Sequence, residues 1–214
     1  KPPYNMDRPG VFHCGDVMFD NSLYFSTISS KESRVLSENQ LLPDAFILAT
    51  IHRDHNTDDR QNMESLFSTL LEASRMTGRK VVLPLHPRTA SVLEKQLTVE
   101  LYKLVSEGKH IRILPPVSFF DMIELERHCH LVMTDSGGVQ KEAYFFNKPV
   151  VILRNETEWV EIVDAGAGKV CGTHREKILD AVNIFTTRPA PSFPPVFGDG
   201  KAAEFICKTL INCK

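Results

Sequence analysis

The sequence lacks a long apolar run and has almost no net charge. Its 214 residues carry a formal net charge of −2, which gives no general attraction for a polyanion such as DNA or RNA. No apolar stretch approaches the roughly 20 residues that span a bilayer. We therefore expect neither a nucleic-acid partner nor a membrane span. Residues 1–4 lack both a signal-peptide pattern and an initiator Met, so we expect the sequence to begin inside a longer chain.

Cysteine is scarce and scattered. The five residues are Cys14, Cys129, Cys171, Cys207 and Cys213, and no two have CxxC spacing. An odd number at these spacings disfavours a metal site and disfavours a disulfide framework more strongly. We expect reduced thiols in a cytoplasmic protein, most of them buried as small apolar groups.

Short apolar runs alternate with helical patterns along the chain. The runs that predict strands cover residues 11–14, 45–50, 81–84, 111–114, 131–134, 150–153 and 168–171. Helical spacing covers residues 61–76, 90–106, 118–128, 137–146, 157–164, 174–185 and a final helix from about 200, for which Asp199 is the expected N-cap. Several runs are continuously apolar, which is typical of strands buried on both faces. The alternation predicts one doubly wound, Rossmann-like α/β domain with a parallel sheet.

The strongest candidate site follows the strand 131–134. There the chain enters a Ser-Gly-Gly turn that opens a helix. Helix N-termini present free N–H groups and partial positive charge, and glycine allows a diphosphate to come close. The alternative is that Asp135 or Ser136 is only the N-cap of this helix, with glycines for a tight turn. Glu142 lies four residues after Gly138 on the same helix face, where its carboxylate suits ribose hydroxyls; the alternative is a solvated surface residue.

Two further strand ends carry imidazole and guanidinium groups. His52 and Arg53 follow the strand 45–50, where they are suited to contact phosphate or to transfer a proton. The alternative is a loop that only caps the next helix. His86 and Arg88 follow the next strand, between prolines that hold them in fixed directions or merely stiffen a connection.

A fourth strand end, residues 114–121, combines two prolines with Phe119 and Phe120. A stiff loop with aromatic residues is suited to frame a planar base. The alternative is that both phenylalanines belong to the core.

These motifs together resemble one family, the non-hydrolysing bacterial UDP-N-acetylglucosamine 2-epimerases. The similar segments are TIHRDHNTDD (50–59), PLHPR (84–88), TDSGGVQKEA (134–143) and KPVVILRNETEWVE (148–161). The resemblance runs from Gly15 to Gly200, nearly the whole chain. It implies one half of a GT-B-type enzyme, in which two Rossmann-like domains face a cleft.

The resemblance implies that residues 1–214 form a single C-terminal UDP-sugar-binding domain. Residues 1–20 would cross from an N-terminal domain absent from this sequence, and residues 200–214 would form the terminal helix. The implied enzyme interconverts UDP-GlcNAc and UDP-ManNAc for surface polysaccharide precursors, by eliminating UDP and adding it back. It needs no cofactor and no metal. Because acidic groups of the other domain remove the C2 proton, the isolated domain should be inactive; the full-length protein should be a homodimer.

The resemblance also implies roles for individual residues. His52 would be catalytic, beside the phosphate and the sugar. The implied UDP-binding residues are Ser136, Gly137 and Gly138 for the diphosphate, Glu142 for the ribose, Val117 and Met122 for the uracil, and Arg154. Some members bind a regulatory UDP-N-acetylglucosamine between their domains, for which Arg53, His86 and Arg88 are the local candidates.

One position departs from the family pattern. Many members have T-E-R-P-E, whose Arg contacts the diphosphate, but here Trp159 occupies that place. Either Arg154 or a group of the other domain supplies the charge, or the sugar differs. Relatives that act on UDP-linked 2,3-diacetamido uronic acids look similar, so that substrate is an alternative. The same motifs would also suit a GT-B glycosyltransferase domain or a stand-alone nucleotide-sugar-binding module. Lys141, where Glu is more usual, is interpreted as surface variation.

Overall fold

A six-stranded parallel sheet forms the centre of the computed structural model, which describes residues 11–212. The strands are β1 (Phe46–Thr50), β2 (Lys80–Pro84), β3 (Ile111–Leu114), β4 (Leu131–Thr134), β5 (Val150–Ile152) and β6 (Gly168–Val170). Their order is β3-β2-β1-β4-β5-β6, and every neighbouring pair is parallel. The doubly wound α/β prediction is confirmed. The strand order reverses between β1 and β4, and this is the point where open α/β sheets bind ligands.

Helices cover both faces of the sheet. They are α1 (Val17–Glu32), α2 (Val35–Glu38), α3 (Asp54–Thr57), α4 (Arg60–Thr77), α5 (Pro87–Gln96), α6 (Val99–Ser106), α7 (Phe119–His128), α8 (Gly137–Phe145), α9 (Val160–Asp164), α10 (Arg175–Thr187) and α11 (Ala202–Asn212). Because strand side chains alternate between faces, Ile47 and Ala49 enter one apolar core while Phe46 and Leu48 enter the other. Within residues 11–212 no helix is both long enough and apolar enough to cross a membrane.

The N-terminal region differs from the sequence prediction. The strand expected at residues 11–14 is wrong, because Val11 and Phe12 are exposed and no sheet neighbour pairs with them. The sequence pattern also missed α1, whose most buried residues are Ser22 and Ser29 rather than an apolar stripe. Of the expected crossing segment 1–20, residues 1–10 lie outside the described part, and the rest leads into α1.

Two helix boundaries also differ. The expected helix 90–106 is two helices, because Leu97 is extended and the Thr98 hydroxyl caps α6 by accepting from the backbone N–H of Leu101.

At α11 the carboxylate of Asp20, not Asp199, accepts hydrogen bonds from the first-turn amides of the helix. These amides belong to residues 202 and 203, at 3.0 and 2.7 Å, whereas Asp199 accepts from the backbone N–H of Lys201, which lies before the helix. The terminal helix is therefore tied to α1 by a carboxylate that is distant in sequence.

Candidate functional site

The candidate site lies at the carboxyl ends of β1 and β4, where the strand order reverses. The hydroxyl oxygens of Thr50 and Thr134 are 2.5 Å apart and join the two strand ends. The loop after β1 then carries His52, and the loop after β4 carries Asp135 and leads directly into α8. Two segments about 80 residues apart in sequence thus form one surface.

Asp135 is a fully buried carboxylate that organises this surface. Its side chain accepts hydrogen bonds from the backbone N–H groups of His52 and Arg53, at 3.0 to 3.1 Å, and from the amide of Asn56 at 3.0 Å. Burial opposes ionisation, but the hydrogen bonds from His52 and Asn56 and from the Arg53 backbone outweigh it and lower the pKa of Asp135. Asn56 also donates to the carbonyl oxygen of Leu153 at 3.1 Å. The loop after β1 is therefore fixed against β4 and β5.

The same carboxylate orients the His52 ring. His52 Nδ1 faces the Asp135 carboxylate at 3.2 Å, which leaves Nε2 for a ligand. The His86 ring lies beside it, with 5.2 Å between ring centroids. Sequence reasoning treated Asp135 only as a candidate helix cap, and its position directly after a strand was the signal for a larger role.

A cavity of about 340 Å³ opens beside the two imidazoles. Its apolar walls include Val117, Met122 and Val139, and His52 and His86 form part of its lining. The structure thus brings together residues that the sequence analysis assigned to a base, a catalytic imidazole and a regulatory site. An apolar cavity with a few polar groups at its edge is the usual form of a small-molecule site.

The two aromatic residues at this end of the sheet have different environments. Phe119 is half exposed and lines the cavity, which agrees with a role in framing a base. Both rings pack against Phe25 of α1, with centroid distances of 5.4 Å for Phe119 and 6.1 Å for Phe120. Phe120 is less exposed than Phe119 and does not line the cavity, which agrees with a packing role.

The first turn of α8 lies next to this cavity. Ser136 is the N-cap, and its hydroxyl accepts from the backbone N–H of Val139 at 3.4 Å, so the capping interpretation is correct for Ser136. It does not explain the glycines, because neither Gly137 nor Gly138 has a positive φ. A Cβ added at either would meet its nearest atom at 3.5 or 3.6 Å, an ordinary contact. These glycines are not required by the turn, and they leave the helix N-terminus open.

The guanidinium of Arg154 lies beside the N-terminus of α8. Arg154 donates two hydrogen bonds to the Glu158 carboxylate, at 2.8 and 2.9 Å, and lies 3.9 Å from the Cβ position of Gly137. Hydrogen bonding from Arg154 lowers the pKa of Glu158. Much of the charge of Arg154 is therefore neutralised by Glu158.

Trp159 stabilises the turn instead of supplying a charge. Its indole N–H donates to the carbonyl oxygen of Gly137 at 2.8 Å. Lys141 places its ammonium 4.2 Å from the centroid of the Trp159 ring and also pairs with Asp16. Lys141 is buried, so interpreting it as surface variation is wrong. Lys141 and Trp159 instead form a cation–π pair that links α8 to the loop after β5.

The three regulatory candidates do not converge. His86 lines the cavity of about 340 Å³, whereas Arg53 lines a second cavity of about 280 Å³ together with Arg154. Arg88 is held by Asp58, to whose two oxygens it donates at 2.8 and 2.7 Å. Within the described residues, no cluster of three or more His, Cys, Asp or Glu side chains is arranged to hold a metal ion.

Glu142 lies one helical turn beyond Val139 and is partly buried, so it is not a solvated surface residue. Burial raises the pKa of its carboxyl. The fully buried Glu126 of α7 lies against it, and sequence reasoning missed this residue. Its spacing was a usable signal, because Glu126 follows Met122 by four residues and Ile123 by three, on the apolar face of α7.

Comparisons with known proteins identify the family of this chain. The family model described as UDP-N-acetylglucosamine 2-epimerase matches residues 4–211. A UDP-N-acetylglucosamine 2-epimerase homolog of Methanococcus maripaludis is 37% identical over 204 residues, which are 95% of this chain and 55% of the relative. A UDP-2,3-diacetamido-2,3-dideoxy-D-glucuronate 2-epimerase of Pseudomonas aeruginosa is 38% identical over 200 residues, 94% of this chain and 52% of the relative.

A solved structure shows the same fold. The Methanocaldococcus jannaschii UDP-GlcNAc 2-epimerase in complex with UDP-GlcNAc and UDP superimposes with a TM-score of 0.81 at 30% identity. The match covers 94% of this chain and 54% of that one. The chain thus spans about half the length of the relatives it matches and has the fold of one half of a GT-B-type protein. With the family model matching nearly its whole length, the chain belongs to the UDP-N-acetylglucosamine 2-epimerase family.

Proposed function

We propose that this chain is the C-terminal, UDP-binding half of an enzyme that interconverts UDP-GlcNAc and UDP-ManNAc. One observation carries the proposal: the open first turn of α8, the His52 imidazole and an apolar cavity meet at the strand-order reversal. The family to which the chain belongs supports the same activity. Membership of this family also disfavours a glycosyltransferase domain.

The three parts of UDP match three features of this surface. The diphosphate lies on the backbone N–H groups of Gly137 and Gly138, because the first helical turn leaves such groups without intrahelical partners. Arg154 turns from Glu158 to the diphosphate and replaces the charge that Trp159 does not carry. The uracil enters the cavity that Val117 and Met122 line. The ribose hydroxyls donate to Glu142.

His52 acts at the oxygen through which the sugar is attached. Elimination breaks the bond between the sugar C1 and the diphosphate oxygen, and negative charge develops on that oxygen. The Nε2 atom of His52, with Asp135 holding Nδ1, stabilises this charge or shares a proton with it. Groups of an N-terminal domain remove the C2 proton. We propose that this domain and a second protomer complete the enzyme, which acts in the cytoplasm without a metal or cofactor.

A related substrate is the second candidate. The Pseudomonas aeruginosa relative named for UDP-2,3-diacetamido-2,3-dideoxy-D-glucuronate is as similar as the relative named for UDP-N-acetylglucosamine. Trp159 stands where many family members have an Arg, and this change in the binding surface favours the second candidate. The two candidates differ at sugar C3 and C6, outside the groups described above.

The test is to incubate the protein that contains this chain with a panel of UDP-sugars in deuterated water. We expect one C2 epimer pair to interconvert with deuterium incorporated at C2, as measured by NMR and mass spectrometry. Turnover of the diacetamido uronate alone would favour the second candidate. The 214 residues by themselves should bind UDP weakly and leave every sugar unchanged. Epimerisation by these residues alone would contradict the proposal that groups of an N-terminal domain remove the C2 proton.

A further inference from the structure

Glu126 is the least satisfied polar group near the proposed ribose site. It lies in α7, its side chain is 0% exposed, and no donor group among the described residues reaches either of its carboxyl oxygens. A charged carboxylate in such a place is strongly disfavoured. Its neighbour in α8 is the carboxyl of Glu142.

Two adjacent carboxyl groups are stable when they share one proton. Burial raises the pKa of Glu126 well above its ordinary value, and the charge and hydrogen bonding of Glu142 raise it further. The pKa of Glu142 is raised by burial, whereas the hydrogen bond from Glu126 and the charge of Lys141 act to lower it. Because Glu126 is fully buried and Glu142 is only partly buried, the charge costs less on Glu142, and the shared proton resides on Glu126.

The remaining ionisable neighbours do not change this assignment. Lys141, on α8, favours a charged Glu142. The Cys129 thiol, at the C-cap of α7 three residues after Glu126, stays neutral because burial raises its pKa. The other buried acid of α7, Glu124, is satisfied elsewhere, by the Ser29 hydroxyl at 2.6 Å and by Arg127 at 2.7 Å.

We propose that Glu126 is a positioning residue for Glu142: its buried, protonated carboxyl donates a hydrogen bond that holds the Glu142 carboxylate toward the ribose hydroxyls. The inference rests on the proposed ribose-binding role of Glu142. Glu142 is one turn beyond Val139, which lines the base cavity, so the ribose lies within reach when the uracil is bound. When the pair loses its shared proton, two like charges repel and Glu142 leaves this orientation.

The pH dependence of UDP affinity tests the proposal. Calorimetry on the protein that contains this chain, from neutral to alkaline pH, should show wild-type affinity falling as the pair loses its proton. Glu126→Gln keeps a donor toward Glu142 at every pH, so this fall should be reduced. UDP itself titrates identically with both proteins, so the difference between the two profiles isolates Glu126. Superimposable profiles would overturn the proposal.

Two further variants separate positioning from packing. Glu126→Leu removes the donor and should weaken UDP affinity about threefold to tenfold at neutral pH, whereas Glu126→Gln should stay near wild type. Glu124→Gln, the matched control on α7, should leave UDP affinity unchanged. Wild-type affinity in a folded Glu126→Leu protein would refute the role. If thermal melting shows that Glu126→Leu does not fold, the pH profile of UDP affinity in Glu126→Gln alone tests the proposal.

Glu142→Ala distinguishes failure of this inference from failure of the proposed function. We expect it to weaken UDP affinity about tenfold or more, because a ribose hydroxyl loses its acceptor. Unchanged affinity would remove Glu142 from the site, and the proposed role of Glu126 with it. Weakened affinity in Glu142→Ala, combined with wild-type behaviour of both Glu126 variants, would overturn only the role of Glu126.

Discussion

Asp135 and Glu126 are both 0% exposed carboxyl residues beside α8, yet their pKa values shift in opposite directions. Burial disfavours the charge on both. Asp135 is surrounded by donors from one loop, and their hydrogen bonds keep it ionised. Glu126 has no such donors among the described residues, and its neighbour is another acid. The difference shows that the donors around a buried carboxyl, rather than its burial, decide which charge it contributes to a site.

The largest expected effect on stability comes from Asp135→Asn, which removes the charge of the carboxylate that is surrounded by donors. The new amide cannot accept from all the N–H groups that now converge on the carboxylate. We expect a loss of about 3 kcal/mol or more in the free energy of unfolding, measured with urea. Asp58→Asn is the control, because the Asp58 side chain is 62% exposed in its pair with Arg88 and should cost less than about 1 kcal/mol.

The loss of stability in Asp135→Asn should also depend on pH. The folded-state pKa of Asp135 is lowered, so its stabilisation is present above the ordinary Asp pKa and is lost as pH falls through the folded-state value. The stability gap between wild type and Asp135→Asn should therefore narrow in acid. A gap of constant size would mean that the cost is packing and not charge.

The second-largest effect is expected for Glu126→Gln, which should raise the free energy of unfolding instead of lowering it. The folded-state pKa of Glu126 is raised, so the wild type loses stability as pH rises from the ordinary Glu pKa toward the folded-state value. The variant has no such loss. Its stability advantage should grow by about 1.4 kcal/mol for each pH unit within that window. Parallel pH profiles from urea unfolding would mean that Glu126 is not protonated in the folded protein.

The smallest effect comes from a third carboxylate, Glu158, whose side chain is 51% exposed and is paired with Arg154. Removing its charge in Glu158→Gln frees Arg154 for the diphosphate without disturbing the core. We expect UDP to bind about twofold to threefold more tightly, by calorimetry at low salt. Glu161→Gln, an exposed acid on α9, is the control and should have no effect. Weaker binding by Glu158→Gln would show that Glu158 orients Arg154 instead of competing for it.

Sequence reasoning was most successful where a residue's role depends on its own strand or helix. Apolar runs predicted the six strands, and Ser136 at a strand end predicted the start of α8. It failed for α1, because that helix buries serines and gives no apolar stripe. It also failed for Lys141, since only the folded structure brings Trp159 and Asp16 to its ammonium.

The amino-acid sequence by itself determined the parallel α/β architecture and the strand ends at which polar groups gather. Periodicity and helix capping are local, so they can be read from neighbouring residues. Only the tertiary structure decided that Asp135 is ionised and organises the loop of His52, and that Glu126 lies against Glu142. Both depend on groups about 16 to 83 residues apart in sequence, and the energy of a buried charge depends on the donors that folding brings to it.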